Sequence, residues 1–178
     1  MILPVVKVPN TVLTTQVKPV KKFDAKLRKL IKDMGDTLIA ARDPEGVGLA
    51  APQIGLGIAL FVTRPDKRAK IRAYVNPVIL KIEELAQDGK KQDKHKTTLE
   101  GCLSIDRIWS PIMRPQRVLM SYQTPDAVKH EEWFDGFKAV IMQHEVDHLN
   151  GILFTTRAMQ QNSTVYEEKD GELLEIEV

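Results

Sequence analysis

The chain has 178 residues, of which 43% are hydrophobic and 28% are charged, a balance typical of globular rather than disordered proteins. Its net charge of +2 is too small, and its basic residues are too scattered, to indicate a nucleic-acid-binding protein. The single cysteine, Cys102, excludes an internal disulfide. The length favours one domain, spanning residues 1–178.

The N-terminal stretch Met1–Val6 is apolar, but it is short and contains a proline, so it does not resemble a signal peptide. The longest apolar stretch, about Ile54–Val62, is far shorter than a membrane span. We therefore expect a cytoplasmic protein without a membrane partner, whose lone thiol is free for chemistry.

Two segments predict helices. Phe23–Arg42 carries apolar residues at helical spacing, with charged residues off the apolar stripe. Phe137–Leu149 contains no glycine or proline, with Asp135 as the expected N-cap and Gly151 as the expected stop. Apolar residues cover most of the circumference of this second helix, which predicts that it is buried in the middle of the domain.

Four segments are expected to be strands because they are rich in β-branched and aromatic residues: Ile58–Val62, Tyr74–Ile82, Val118–Tyr122 and Glu132–Phe134. We expect a solvated turn at 88–96 that exposes His95, an exposed His130, a short extended segment at Ile152–Thr155 and an edge strand at Glu172–Val178. The pattern predicts the α+β class, with mixed or antiparallel strands packed around a central buried helix.

The sequence QHEVDH at 143–148 places two histidines, His144 and His148, one helical turn apart. On a helix both rings lie on one face, so two nitrogens reach the same ion, while Glu145 projects about 100° further round. The same spacing also fits two histidines packed in a core. A catalytic metal site therefore requires a third protein ligand from elsewhere in the chain.

The stretch GVGLAAPQIG at 46–55 combines small residues with one polar side chain, Gln53. Small residues suit a close backbone approach to another group, although a plain tight turn explains them equally simply. The spacing of a dinucleotide-binding loop and the lysine of a phosphate-binding loop are both missing. The amide of Gln53 is suited to donate a hydrogen bond to an oxyanion.

Three stretches occur in order along the chain: GVGLAAPQ at 46–53, EGCLS at 100–104 and QHEVDH at 143–148. Each is modest alone, but the ordered trio is specific and resembles the signatures of the peptide deformylase family. That family removes the N-formyl group from formylmethionine at the start of new polypeptides. The resemblance implies formylated nascent polypeptides as the substrate.

The resemblance also implies the chemical roles of four side chains. Cys102, His144 and His148 are expected to be the metal ligands, and Glu145 the general acid and base. Two imidazoles and a thiolate accept Fe²⁺, Zn²⁺ or Ni²⁺. By resemblance, Fe²⁺ is the expected physiological metal.

The resemblance further implies how the substrate is held. Gln53 and the backbone N–H of Leu103 are expected to donate to the oxyanion, and Gly48 to hold the peptide backbone. Other candidates that contact the substrate, each of which also fits plain core packing or packing under a loop, are Gly46, Val47, Phe137, Val140, Ile141 and Trp109.

The chain departs from the commonest bacterial pattern after its EGCLS stretch. Asp106 and Trp109 stand where many members have a proline and a basic residue. Family position also suggests an ion pair between Glu45 and Arg114. The strand-like tail lacks the long helix with which some members dock on the ribosome, so we expect at most a transient ribosome contact made without it.

Two other classes of function stay open on the residues alone. Peptidases with the HExxH pattern commonly take a later third ligand, for which Glu167, Glu168 and Glu172 are available. A metal-binding protein without catalysis would use Cys102 and the two histidines as a structural site. Structural zinc sites usually close all four positions with protein ligands, and a second cysteine is missing.

Overall fold

The computed structural model describes residues 1–42, 45–83 and 97–177. The helices in this part of the chain are α1 (Ala25–Ala40), α2 (Phe137–Leu149) and α3 (Phe154–Gln160), with 3₁₀ turns at Thr11–Thr14 and Ala51–Ile54. The strands are β1 (Gly48–Ala50), β2 (Leu60–Thr63), β3 (Arg72–Glu83), β4 (Thr97–Cys102), β5 (Ile105–Met113), β6 (Arg117–Gln123), β7 (Lys129–Asp135), β8 (Val165–Lys169) and β9 (Glu172–Ile176).

The strands form two antiparallel sheets that share the central helix. One has the order β1-β2-β3-β6-β7 and the other the order β4-β5-β8-β9, so β1 and β4 are both edge strands. Helix α2 packs against β1, β2, β3 and β7 of the first sheet. The predicted α+β class with a central buried helix is confirmed.

Helix α2 is buried on most of its surface, as its all-round apolar pattern predicts. It follows Gly136, whose positive φ of 56° is a conformation that glycine adopts without a steric cost. Gly151, with φ of 72°, follows its end and confirms the predicted stop. The predicted N-cap Asp135 is wrong: this residue ends β7, where its carboxylate lies 3.1 Å from Nε of Arg117.

The other predicted helix and the four predicted strands are present, with ends shifted by one to three residues. Asp24 caps α1, because its carboxylate accepts hydrogen bonds from the backbone N–H groups of Lys26 and Leu27. The predicted edge strand at the end of the chain is β9, and His130 is exposed as predicted.

One predicted element is wrong and four strands are missed. Ile152–Thr155 was expected to be extended, but helix α3 begins at Phe154. Phe154 and Ala158 lie one turn apart, so a helix buries both against Leu13 and Ile112 in one cluster. Strands β1, β4, β5 and β8 were not predicted. The expected turn at 88–96, with His95, lies outside the described residues.

Within residues 1–42, 45–83 and 97–177, no helix is long and apolar enough to cross a membrane.

Candidate active site

A thiol and two imidazoles meet between the two sheets. Cys102 ends β4, while His144 and His148 lie one turn apart on α2. Their ligand atoms all lie within 4.8 Å of one another, and Sγ of Cys102 is 3.2 Å from Nε2 of His148. A candidate for the third ligand that the helix motif requires is therefore present, on a strand 42 residues earlier in the chain.

This donor set fits one divalent ion of the transition series. In a tetrahedral site with bonds of about 2.0–2.3 Å, ligand atoms stand about 3.3–3.8 Å apart, and the 3.2 Å between Sγ of Cys102 and Nε2 of His148 is close to that range. Burial by itself raises the pKa of the Cys102 thiol, but the neighbouring histidines outweigh burial and hold the pKa well below its usual value. The thiolate is the form that binds metal. Three protein donors also leave a position for water or substrate.

Buried charges fix the orientation of His144. Its Nδ1 lies 2.9 Å from Oε2 of Glu100, so its Nε2 is the nitrogen left for a metal. Arg114 donates two hydrogen bonds to Glu100, at 2.5 and 3.0 Å, and one to Asp147 at 2.8 Å. Arg157 donates two more to Asp147, at 3.1 and 2.6 Å. We call these five residues the Glu100 ion network.

The network compensates the cost of burying carboxylates. Burial raises the pKa of the Glu100 carboxyl, but hydrogen bonds from His144 and Arg114 outweigh this effect and lower the pKa. Glu100 is therefore ionised, and an ionised carboxylate requires His144 to keep its proton on Nδ1. The network thus sets the tautomer that a metal ligand needs.

The carboxylate of Glu145 is buried beside the metal-ligand cluster without a partner that neutralises it. Glu145 is 3% exposed, and its Oε2 has no hydrogen-bond partner among the described residues. Burial raises the pKa of this carboxyl to about 7. A carboxyl that titrates near neutral pH both accepts and releases protons under ordinary conditions, which is what general acid–base chemistry requires.

Gly48 makes room for that carboxylate. A Cβ built on Gly48 would lie 2.6 Å from the carboxyl carbon of Glu145, and closer still to one of its oxygens. Any side chain at this position of β1 would displace the carboxylate. The glycine in the 46–55 stretch is therefore needed for a close approach, and the approaching group is Glu145.

The amide of Gln53 has a fixed orientation. Its Oε1 accepts a hydrogen bond from the Ala50 N–H at 2.8 Å, so its nitrogen faces Cys102, with Nε2 3.3 Å from Sγ. The side chain is 1% exposed. The amide N–H₂ group is thus held against the thiol and directed into the site, as an oxyanion donor must be.

A cleft opens over the cluster, between the edges of β1 and β4. Every residue that was predicted from the sequence to act at the site lines this cleft, except His148. His148 is fully buried. Its lining residues are Glu45, Gly46, Val47, Gly48, Gln53, Thr98, Leu99, Glu100, Gly101, Cys102, Leu103, Trp109, Phe137, Val140, Ile141, His144 and Glu145.

The predicted ion pair between Glu45 and Arg114 is wrong. Arg114 is buried with Glu100 and Asp147, where its guanidinium satisfies two desolvated carboxylates. Glu45 instead lies at the surface, 3.4 Å from Nζ of Lys67. Moving the Arg114 guanidinium to the exposed Glu45 would leave two buried carboxylates without a compensating charge, which is strongly unfavourable.

Sequence reasoning gave no role to Glu100, Asp147 or Arg157. Glu100 and Asp147 lie inside the recognised motifs. An acidic residue close in sequence to a candidate ligand was therefore a signal that could have found them. Arg157 gave none, because it belongs to α3, which was not predicted.

Comparison with known proteins identifies relatives over nearly the whole chain. The family model described as "Polypeptide deformylase" matches residues 2–164. The peptide deformylase of Maricaulis maris is 36% identical over 93% of this chain and 95% of that protein. That of Brucella suis is 38% identical over 85% of this chain and 81% of that protein.

Solved structures agree with the sequence relatives. The crystal structure of peptide deformylase from Thermotoga maritima matches with a TM-score of 0.77 and 36% identity, covering 88% of this chain and 97% of that one. The actinonin-bound class I type b peptide deformylase from Acinetobacter baumannii matches with a TM-score of 0.74 and 32% identity, covering 88% and 98%.

Replacing Cys102 by alanine removes the only thiolate donor of the cluster. Changing an outer partner of a ligand typically weakens metal binding by about 10–100-fold, so loss of the ligand itself should cost more. We expect Cys102→Ala to be isolated with little metal, measured by elemental analysis and by competition with a chelator.

The control is Ser104→Ala. Ser104 is as deeply buried as Cys102, but its Oγ has no hydrogen-bond partner in the described part of the chain, so its removal should leave metal content and circular dichroism unchanged. Full metal stoichiometry in Cys102→Ala would contradict the ligand set.

Proposed function

The chain belongs to the peptide deformylase family, whose members remove the N-formyl group from nascent polypeptides, and on that basis we propose how its residues perform the reaction. Cys102, His144 and His148 hold the metal, and Glu145 transfers protons. The observation that carries the proposal is the placement of the Glu145 carboxylate, beside the ligand cluster and against Gly48, in the cleft between two strand edges.

A divalent metal bound by this donor set supplies Lewis acidity and makes water a nucleophile near neutral pH. We propose Fe²⁺ as the physiological ion, as the family resemblance implies; Zn²⁺ and Ni²⁺ also suit two imidazoles and a thiolate. The Glu100 ion network keeps His144 in the tautomer and orientation that binding requires.

Glu145 acts as base and then as acid. Its carboxylate accepts a proton from the water as the oxygen of that water attacks the formyl carbon. It then delivers the proton to the amine nitrogen as the carbon–nitrogen bond breaks, releasing formate and the free N-terminus. Its position beside the cluster, without a neutralising ion pair, suits a group that must change protonation state twice in each turnover.

Two donors stabilise the oxygen that becomes negative as water attacks. The Gln53 amide is held in place before the reaction by its bond to the Ala50 N–H, so it needs no reorganisation. Leu103 follows Cys102 in the turn between β4 and β5 and lines the cleft, where its N–H is the second proposed donor.

The peptide is proposed to bind as an extended strand. The cleft runs between two edge strands, β1 and β4, and an edge strand offers unpaired backbone groups to an added strand. Gly46, Val47 and Gly48 would hold the backbone. The methionine side chain would enter the apolar part of the cleft, formed by Phe137, Val140 and Ile141.

Neither alternative gains support from the positions of the glutamates. Glu167 pairs with Lys169 at 2.8 Å, and Glu168 accepts a hydrogen bond from Trp109. None of Glu167, Glu168 and Glu172 belongs to the candidate ligand cluster, which consists of Cys102, His144 and His148. A structural metal site would give no role to Glu145, whose buried Oε2 has no hydrogen-bond partner among the described residues.

Ribosome contact without a docking helix stays a prediction, which co-sedimentation with ribosomes would test.

The proposal of iron predicts sensitivity to air. Protein purified without oxygen should contain Fe²⁺ and lose activity on exposure to air, because an Fe²⁺–thiolate site oxidises readily. Elemental analysis and formate release, followed together, make the measurement. Protein that contains only zinc under those conditions and is fully active would refute the assignment.

Gly48→Ala should displace the Glu145 carboxylate without touching a metal ligand. Because misplacement by about 1 Å costs on the order of 10²-fold in rate, we expect a loss of that size in kcat with the metal retained. Gly57→Ala is the matched control, since a Cβ at this exposed glycine meets nothing within 4 Å. Equal activity of the two variants would argue against the proposed role of Gly48.

Glu145→Gln tests the proton transfer directly. An amide of the same shape neither accepts the proton of water nor delivers one to the amine. We expect kcat to fall by at least the upper part of the 10²–10⁴-fold range typical of general acid–base catalysis, with KM and metal content little changed. The assay is formate release from formyl-Met peptides.

Near-normal turnover by Glu145→Gln would refute the mechanism. In the same assay the unsubstituted protein should leave acetyl-Met peptides and internal peptide bonds almost intact. Cleavage of internal bonds as fast as formate release would instead support a peptidase.

A further inference from the structure

The indole of Trp109 forms a wall of the cleft next to the metal-ligand cluster. Its ring lies directly on Gly101: a Cβ built on that glycine would come within 2.7 Å of the ring carbons. Gly101 immediately precedes Cys102 on β4. The indole therefore flanks the edge strand along which a bound peptide would leave the catalytic centre.

The indole is held from outside the cleft. Its Nε1–H donates a hydrogen bond of 2.8 Å to Oε2 of Glu168, on β8. Strands β5 and β8 are paired, with Trp109 directly across from Tyr166. Side chains alternate along a strand, so Glu168 shares the face of Tyr166 while Glu167 points to the opposite face. The hairpin of β8 and β9 thus holds Trp109 in place through Glu168, although Glu168 does not line the cleft.

Two further large apolar side chains at the cleft are exposed. Leu99 on β4 is 44% exposed, and Phe137 at the start of α2 is 51% exposed. Exposed apolar groups that cluster around a cleft mark a surface that a ligand covers. Leu99 and Trp109 give the cleft an apolar wall on the β4–β5 side, apart from the α2 residues proposed for the methionine side chain.

An extended peptide advances about 3.3 Å per residue. A chain whose formyl carbon lies at the cluster and that follows β4 backwards therefore passes Gly101 and Leu99 with its first few residues. If the methionine side chain enters the part of the cleft formed by Phe137, Val140 and Ile141, the side chains that follow it in the peptide would pass the indole.

From this geometry we propose that the β8–β9 hairpin selects substrates. Glu168 fixes the Trp109 indole as a wall that favours a large apolar or aromatic residue shortly after formylmethionine. The inference rests on the proposed function, because it assumes that formylated peptides bind along β4. Trp109 is a specificity residue in this proposal, and Glu168 is a positioning residue that acts through it.

The test compares kcat/KM for formyl-Met amide with two peptide series, in which the second or the third residue is Phe, Leu, Ala or Gly. The unsubstituted enzyme should prefer Phe or Leu in one series. Trp109→Ala should lower kcat/KM for that peptide about tenfold more than for formyl-Met amide, mainly through KM.

Glu168→Ala should lower the same preference about threefold by freeing the ring. Glu167→Ala, on the other face of β8, is the control and should leave the preference unchanged. Trp109→Phe keeps an aromatic ring but loses the N–H, so adding Glu168→Ala to it should have no further effect.

The proposal is overturned if Trp109→Ala lowers kcat/KM equally for all substrates or if Glu168→Ala leaves the preference intact. It is also overturned if Glu168→Ala lowers the preference as much in Trp109→Phe as in the unsubstituted enzyme. Failure of the proposed function looks different: the unsubstituted enzyme would then release no formate even from formyl-Met amide.

Discussion

The ion pair between Glu100 and Arg114 is the interaction on which the rest of the site depends. A carboxylate that stays ionised when it is buried needs partners for its oxygens, and removing one partner from a buried ion pair costs about 3–5 kcal/mol. Glu100 is paired on both sides, by Arg114 and by His144. Through Asp147 and Arg157 the same charges join β4 and β5 to α2 and α3. The ligand on the strand and the ligands on the helix are therefore held in register by the group that sets the histidine tautomer.

Close approach is the second constraint, and glycines permit it. At Gly48 the missing side chain leaves room for the Glu145 carboxylate, and at Gly101 it leaves room for the Trp109 indole. Both glycines lie on edge strands that face the same cleft. A deformylase must bring a peptide backbone, a carboxylate and a metal-binding cluster within a few ångströms of one another. Gly48 meets that requirement at one wall of the cleft, and Gly101 lets an aromatic ring lie against the strand at the other wall.

Elements with a clear apolar pattern were predictable, and elements without one were not. Helix α1 has an apolar stripe and the Asp24 cap, and α2 is a run of 13 residues without glycine or proline that lies between Gly136 and Gly151. In contrast, β4 contains a glycine and a buried glutamate, and α3 has only seven residues. Their local preferences are weak, and they take their form from packing against Leu13 and Ile112 or from pairing with neighbouring strands. A seven-residue helix is too short to be stable on its own preference.

The sequence alone determined what depends on local spacing: two histidines one turn apart on α2, a glutamate beside them, and a glycine turn that carries Gln53. Family resemblance added Cys102 as the third ligand. Only the tertiary structure decided which charges surround these groups, because those contacts join residues far apart in the chain. Arg114 reaches 33 residues forward to Asp147, and Trp109 reaches 59 residues forward to Glu168. Spacing along a chain fixes neighbours within one helix or strand, whereas the partners of buried charges are fixed by which elements pack together.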